Sequence, residues 1–350
     1  MKRLLVIALT LALLAAVAAP ALSDDLTIVF VPKLSGNAFF ESANDGAQAY
    51  AEKIGFTVKY DGNPEASVAN QVAIINNAIN QGVDGICVSS VDATGLDDVM
   101  REAKAAGLAV TTWDSDVAGD ARTVMVSQGT PDQLGTMLVD MLAESLKNRG
   151  KDPEKDAIKY VWHYSQATVA DQNSWNVAGE AYVKEKYPNW VNVKPDNYYS
   201  EQDAEKAISI GESILSAYPD LDGIICNDST ALPGQCQAAQ NLGKTKADIS
   251  ITGFAAPNSI KDYCRAGVLE RWGLWDCQIQ GALGCYLAYY LASGNTIKVG
   301  DQIDVPDIGT VEVMPNTVLD PNAYTAEDSG VVLLPERAVF TIDNMDNYNF

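Results

Sequence analysis

The sequence predicts an α/β protein of two similar lobes, each an open parallel sheet with helices on both faces, and a hinged cleft between them. Three observations predict this. Short β-branched runs alternate with helical periodicities from Leu26 to about Leu291, the pattern of parallel strands covered on both faces. The alternation restarts near Pro131, after one complete unit. The chain is also longer than one hydrophobic core comfortably supports.

The N-terminus reads as a leader. Met1-Lys2-Arg3 precedes an apolar run from Leu4 to Ala19, then Pro20-Ala21-Leu22-Ser23. That is a basic segment, a short apolar segment and a small-residue cleavage site. The run is too short for a comfortable membrane span. Residues 1–23 are therefore expected to be removed, and no Cys near the site offers a lipid anchor. An exported, periplasmic chain follows for a cell with two membranes.

The first unit opens with strand 26–31 and the loop Pro32–Asn37. A helix spaced by Phe39, Phe40, Ala43, Ala47 and Tyr50 follows, ended by Gly55. Strand 56–60, a helix over 67–81, strand 85–90, a helix over 95–106 and strand 108–112 continue the alternation. The second unit runs through helix 131–149, strand 158–163, helix 172–186, strand 190–193, helix 201–217, strand 223–226, helix 231–242 and strand 249–254. Helix 259–266, a segment 270–275 and helix 277–291 read as an addition to the first unit, and the tail from about 302 is strand-rich. The lobes are accordingly drawn as 24–127 plus about 256–304, and 128–255 plus about 305–350.

Charge narrows the partners. The formal charge is −22, and removal of Lys2 and Arg3 takes it to −24. Such a surface repels phosphate backbones and anionic lipid, so nucleic acid is not expected. Cys87 sits in an apolar strand and reads as a small buried hydrophobe. Cys264, Cys277 and Cys285 are close in sequence, and one disulfide among them is expected, although spacing cannot fix connectivity.

In open parallel sheets, ligands bind beyond the carboxyl ends of the strands. The loops there are rich in Asp, Asn, Gln, Ser and Trp. "TTWDSD" (111–116) ends one strand with Trp113, Asp114 and Asp116. Carboxylates accept charge-assisted bonds from hydroxyls, and an indole face suits sugar C–H groups. The alternative is an Asp that caps a turn and a Trp that fills the core. Lys33 follows the first strand and can donate to ligand oxygens or pair with Asp114. Phe39 and Phe40 can wall the cleft or pack the core. "TVADQNSWN" (168–176) puts Asp171 and Gln172 at a helix start, where Asp171 is either a cap or a hydroxyl acceptor. "NDSTALPGQC" (227–236) is a similar turn, with Pro233 shaping backbone near the cleft.

Other motifs fail. Gly243-Lys-Thr245 lacks the first Gly of a phosphate loop. His163 stands in an apolar strand and is the chain's one His, so no His/Cys zinc site is credible. There is no G-x-S-x-G elbow and no nucleophile–base constellation. No catalytic residue, metal or cofactor is expected.

"IVFVPKLSGNAFFESANDGAQAYAEKIGFTVKYDG", "TTWDSD", "SQGTPDQLGTMLVDM", "TVADQNSW", "AYPDLDGII", "RWGLWD" and "VVLLPERAVF" together resemble the LsrB-type autoinducer-2-binding proteins, periplasmic receptors of ABC import in the ribose/rhamnose-binding superfamily. The likeness covers nearly the whole chain beyond the leader. It implies hinge closure on a small furanose-like polyol, a boron-free hydrated 4,5-dihydroxy-2,3-pentanedione derivative. It implies ligand contacts at Lys33, Asp114, Asp171, Gln172, Pro233 and Gln235. The family usually has Ala where Gln235 stands, and this departure keeps open a receptor for a pentose or deoxyhexose such as ribose or rhamnose. Phe40, Asp116, Asp228 and Trp275 are expected as pocket walls or a supporting layer. A membrane permease is the implied partner, a chemoreceptor a further one, and the chain is expected as a monomer.

Overall fold

The computed structural model describes residues 26–350, so the expected leader lies outside the described residues. The first unit is β1 (Thr27–Val31), α1 (Ala38–Ile54), β2 (Thr57–Tyr60), α2 (Val68–Gln81), β3 (Gly85–Val88), α3 (Asp97–Ala105), β4 (Ala109–Trp113) and β5 (Val124–Ser127). The second is α4 (Pro131–Asn148), β6 (Ile158–Tyr164), α5 (Ala170–Lys186), β7 (Trp190–Asn192), β8 (Tyr198–Tyr199), α6 (Ala204–Ala217), β9 (Gly223–Cys226), α7 (Ala231–Asn241), β10 (Ser250–Gly253), α8 (Pro257–Arg265) and β11 (Arg271–Trp275). Then come α9 (Cys277–Ala292), β12 (Gln302–Val305), β13 (Gly309–Glu312), β14 (Met314–Pro315), β15 (Gly330–Leu333) and β16 (Arg337–Thr341).

Two sheets carry these elements. The first has the order β14-β15-β5-β4-β3-β1-β2, all parallel except β14. The second has the order β10-β9-β6-β7, with β8 beside β6. Successive side chains of β1 go to opposite faces, as strand geometry requires. Ile28 and Phe30 join the core under α1 and α9, whereas Val29 and Val31 pack with Ile75 of α2 and Met100 of α3. Both faces being covered is why β1 is apolar throughout.

Helices α1 and α9 touch almost backbone to backbone. A Cβ at Gly281 would lie 2.2 Å from the Ala43 carbonyl oxygen, and one at Gly46 would lie 2.3 Å from that of Gln278. Only glycine permits this approach, and it places α9 with Trp275 at the cleft wall and Gln280 behind it. Asp276 caps α9 by accepting from the Ile279 N–H.

The lobe boundaries differ from those drawn from sequence. Helix α8 packs on α7, and β11 joins β10 through a bridge between Phe254 and Gly273, so 257–275 belongs with the second sheet. Strand β15 pairs with β5, so Gly330–Leu333 belongs with the first. The reason is edge satisfaction. The apolar run Gly330–Leu333 completes the side of β5 that would otherwise expose unpaired backbone. The chain crosses between the lobes after β5, after β11 and after β15.

The expected disulfide is absent. All six cysteines are free and buried. Cys264 lies on α8 and Cys277 and Cys285 on α9, on opposite sides of a crossing that sequence spacing hides.

Candidate functional site

The carboxyl ends of β1, β3 and β4 meet at one point. Lys33 stands two residues past β1 and is only 3% exposed. Its Nζ lies 2.9 Å from Asp114 Oδ2. The same carboxylate oxygen accepts the Ser89 hydroxyl, from the end of β3, at 2.6 Å. Asp114 has φ +60°, in the left-handed region. This costs a non-glycine residue some conformational energy, and it folds the chain back so that Trp113 and Ser115 bridge each other. A straight continuation of β4 would aim Asp114 elsewhere.

The second lobe answers with Asp171, in the first turn of α5. It lies 3.7 Å from Lys33 Nζ and accepts the Ser115 hydroxyl. The positive end of the helix favours a carboxylate there. Asp171 is not the cap: that position is Val169, whose side chain makes no capping bond. One ammonium thus spans carboxylates from both lobes.

Burial sets the electrostatics. It pulls the Lys33 ammonium down, but Asp114, Asp171 and Asp228 together outweigh it and leave the ammonium above its ordinary value. Burial raises the Asp171 carboxyl, partly offset by Lys33. Burial also raises Asp228, to about 6, against bonds from the Ala231 and Thr230 amides and the charge of Lys33.

Around this group stand Phe39 and Phe40 of α1, Trp175 of α5, Phe254, Leu274 and Trp275. Trp275 meets Phe39, Trp175 and Phe254 at ring centroids of 5.8, 5.9 and 5.5 Å, all steeply inclined, the preferred arrangement of aromatic quadrupoles. Its indole N–H donates to Gln280 at 2.6 Å, which fixes the ring. The Gln172 carboxamide oxygen accepts from Ser165, which leaves its NH2 donors for the cleft. The cleft between these side chains measures about 30 Å³.

Lys33, Asp114, Gln172, Phe39, Phe40, Asp228 and Trp275 therefore line one cleft, and Asp171 pairs with its lysine. Three expected residues, Asp116, Pro233 and Gln235, stand elsewhere, and Trp113 falls in the supporting layer. Trp113 is fully buried beneath the floor, stacked on Phe39 at 5.9 Å, so it supports a wall without being one. Asp116 turns away to Arg122, 2.6 Å distant, because the turn at Asp114 reverses the alternation of β4. Pro233 lines a larger outer groove of about 870 Å³ at the cleft's rim. Gln235 sits on the inner face of α7, fully buried, with its oxygen 3.2 Å from His163 Nδ1 and its nitrogen donating to the Gly211 carbonyl at 3.4 Å. His163 itself is buried and lowered to about 4, so it is neutral at pH 7.

Sequence reasoning missed Trp175, Phe254, Leu274, Asn37, Asn227 and Gln202. Two of these carried a signal: Asn227 stands directly after β9, and Trp175 lies four residues after Asp171 on a helix and so shares its face. Nothing local marks Gln202.

A profile of the periplasmic binding protein domain matches residues 28–296. Among solved structures, LsrB from Clostridium saccharobutylicum in complex with AI-2 is 67% identical, with a TM-score of 0.92, covering 93% of this chain and 100% of that one. A solute-binding protein from Clostridium phytofermentas with bound L-rhamnose is 21% identical with a TM-score of 0.81, covering 93% and 98%, and shares the fold. The ribose import binding protein RbsB of Salmonella typhimurium is 27% identical, covering 73% of this chain and 80% of its own. Two lobes, a cleft crossed by buried charge and these likenesses agree: the chain belongs to the periplasmic binding protein domain family, as an LsrB-like solute-binding protein of ABC import.

Proposed function

We propose that this protein is an exported receptor that closes on boron-free autoinducer-2 (AI-2) and delivers it to a membrane permease, without chemistry of its own. The observation that carries this is the buried Lys33, held between Asp114 of one lobe and Asp171 of the other. A small polyhydroxylated ligand replaces exchangeable contacts of this kind, with hydroxyls donating to the carboxylates and oxygens accepting from Lys33 and Gln172. The 67% identity to LsrB with AI-2 supports the choice of ligand.

Closure follows from size. A cleft of about 30 Å³ is far smaller than a small-molecule site. A solute therefore enters with the lobes apart and is enclosed as they come together. Ligand that bridges both lobes shifts the population to the closed form. Gln235, the residue that favours a different sugar, supports no such change, since its side chain is spent on His163 and Gly211.

The test is a titration of unfolded and refolded protein with AI-2, ribose and rhamnose, followed by tryptophan fluorescence. Trp175 and Trp275 line the cleft and report its occupation. Saturable binding of AI-2 in preference to both sugars is expected. Tight binding of a sugar with none of AI-2 would overturn the reading.

A further inference from the structure

The three crossings between the lobes are tied together by two buried glutamines that stand behind the cleft. Gln128 follows β5 at the first crossing, Trp275 ends β11 at the second, and Arg337 opens β16 after the third. Gln280, early in α9, is fully buried, and Gln128 is 1% exposed. The Gln280 carboxamide oxygen accepts the Trp275 indole N–H at 2.6 Å. Its NH2 donates to the Val126 carbonyl and to the Gln128 side-chain oxygen, both at 3.0 Å. The Gln128 NH2 in turn donates to the Asp114 carbonyl at 3.1 Å and to Asp171 Oδ2 at 3.5 Å. The Gln128 main-chain carbonyl accepts the Arg337 guanidinium at 2.8 Å.

One end of this chain of bonds forces the direction of the rest. An indole N–H is a donor only, so the Gln280 oxygen faces it and the Gln280 NH2 faces away. The Gln128 oxygen is thereby turned to Gln280, which leaves its NH2 for Asp114 and Asp171. Reversing either amide would set donor against donor or oxygen against oxygen. The far ends are parts of the cleft. The Asp114 carbonyl belongs to the residue with φ +60°, whose turn aims its carboxylate inward. Asp171 comes from the other lobe. Trp275 meets Phe39 of the first lobe and Trp175 and Phe254 of the second. Neither glutamine lines the cleft, so each acts on a bound solute only through these neighbours. Buried hydrogen bonds in series polarise and strengthen one another.

We infer that Gln280 and Gln128 are positioning residues for ligand capture: a one-way hydrogen-bond relay that holds Trp275, the Asp114 turn and Asp171 in register across the hinge while the lobes are together. When the lobes part, Asp171 leaves with α5 and the relay loses its last acceptor. Removing the relay therefore shifts the population toward the parted form. Release of a bound solute speeds up, whereas its entry, which takes place with the lobes apart, does not slow. This rests on the reading above that the cleft closes on a small polyol.

The experiment compares wild type with Gln280→Met, Gln128→Met and the double variant. Methionine keeps the length of glutamine without its donors. Thermal melting identifies the variants that fold, and stopped-flow tryptophan fluorescence gives the association and dissociation rates for AI-2. Each single variant is expected to release AI-2 roughly 10-fold faster, with an association rate within about twofold of wild type. The double variant is expected to release it no more than about threefold faster than the worse single variant, because the two side chains act in series. If one single variant does not fold, the other carries the rate test. A dissociation rate within about twofold of wild type in the folded variants would overturn the inference, even beside a lower melting temperature, because a merely structural role leaves the release rate of folded protein unchanged. Losses that multiply in the double variant would overturn it as well, showing two independent contacts. Binding of ribose or rhamnose with none of AI-2 would fail the parent reading alone, and the same rates measured with that sugar would then decide the relay. Binding of none of the three would overturn both.

Discussion

Asp114 and Asp116 are two residues apart, and each holds a buried cation, yet they serve different ends. Asp114 meets Lys33 and one hydroxyl, and the pair faces a cleft shared with the other lobe. Asp116 meets Arg122, which is 2% exposed and also bonds Ser329, the Gly330 carbonyl and Asn316. Every direction of that guanidinium is used within the protein. It ties β4 and β5 to the tail that returns as β15. The comparison teaches that a buried ion pair is a binding element only where its donors and acceptors remain exchangeable.

Breaking each pair should separate stability from affinity. The largest effect is expected at the latch. Asp116→Ala leaves Arg122 buried without its counter-charge, and a loss of about 3–5 kcal/mol of stability is expected, read by thermal or urea unfolding. Affinity of the protein that still folds should change by less than about threefold. Asp114→Ala should do the reverse. We expect roughly 100-fold weaker ligand binding, with a modest loss of stability because Asp171 still faces Lys33. Near-normal affinity in Asp114→Ala would sink the assignment of the cleft.

Acid should weaken binding by a smaller factor. Asp228 is raised to about 6 and Asp171 is raised as well. Their ionised forms accept ligand hydroxyls, so affinity is full above pH 6 and falls as pH drops through it, by about tenfold per unit for one required carboxylate. Stability moves oppositely. A carboxyl raised above its ordinary 3.8 in the folded state contributes most below that value, and the contribution is lost as pH rises through 6. Titration and melting between pH 5 and 7 should show the two trends crossing. An affinity flat over that range would exclude these carboxylates as ligand contacts.

The smallest effect is expected at Gln235→Ala, which places the usual family residue. It should leave affinity within about twofold and cost about 1–3 kcal/mol of stability, through loss of the buried hydrogen bonds to His163 and the Gly211 carbonyl. A large change in ligand preference would show that Gln235 reaches the cleft after all.

Much of this was legible in residues 26–350. The β1 run and the α1 spacing through Phe39, Phe40 and Ala43 placed the first sheet and one wall. The cleft positions of Lys33, Asp114 and Gln172 were legible because strand ends in parallel sheets open on the cleft, and a charged or amide side chain there has few other uses. Asp116 and Trp113 were not separable from Asp114, because one left-handed residue decides which of three neighbours faces inward. Gln235 was misread for a related reason: it lies two residues from Pro233 on α7, and two residues on a helix point some 200° apart.

The sequence by itself determined two alternating α/β units and the chemistry concentrated at their strand ends. Those follow from periodicity and from local rules of burial, which act over a few residues. Only the tertiary structure decided that β15 closes the first sheet while α8 and β11 join the second. It likewise decided that Gln202 shares a space with Lys33. Those outcomes depend on which edges and faces remain unsatisfied once the whole chain has packed, and no short window of sequence carries that information.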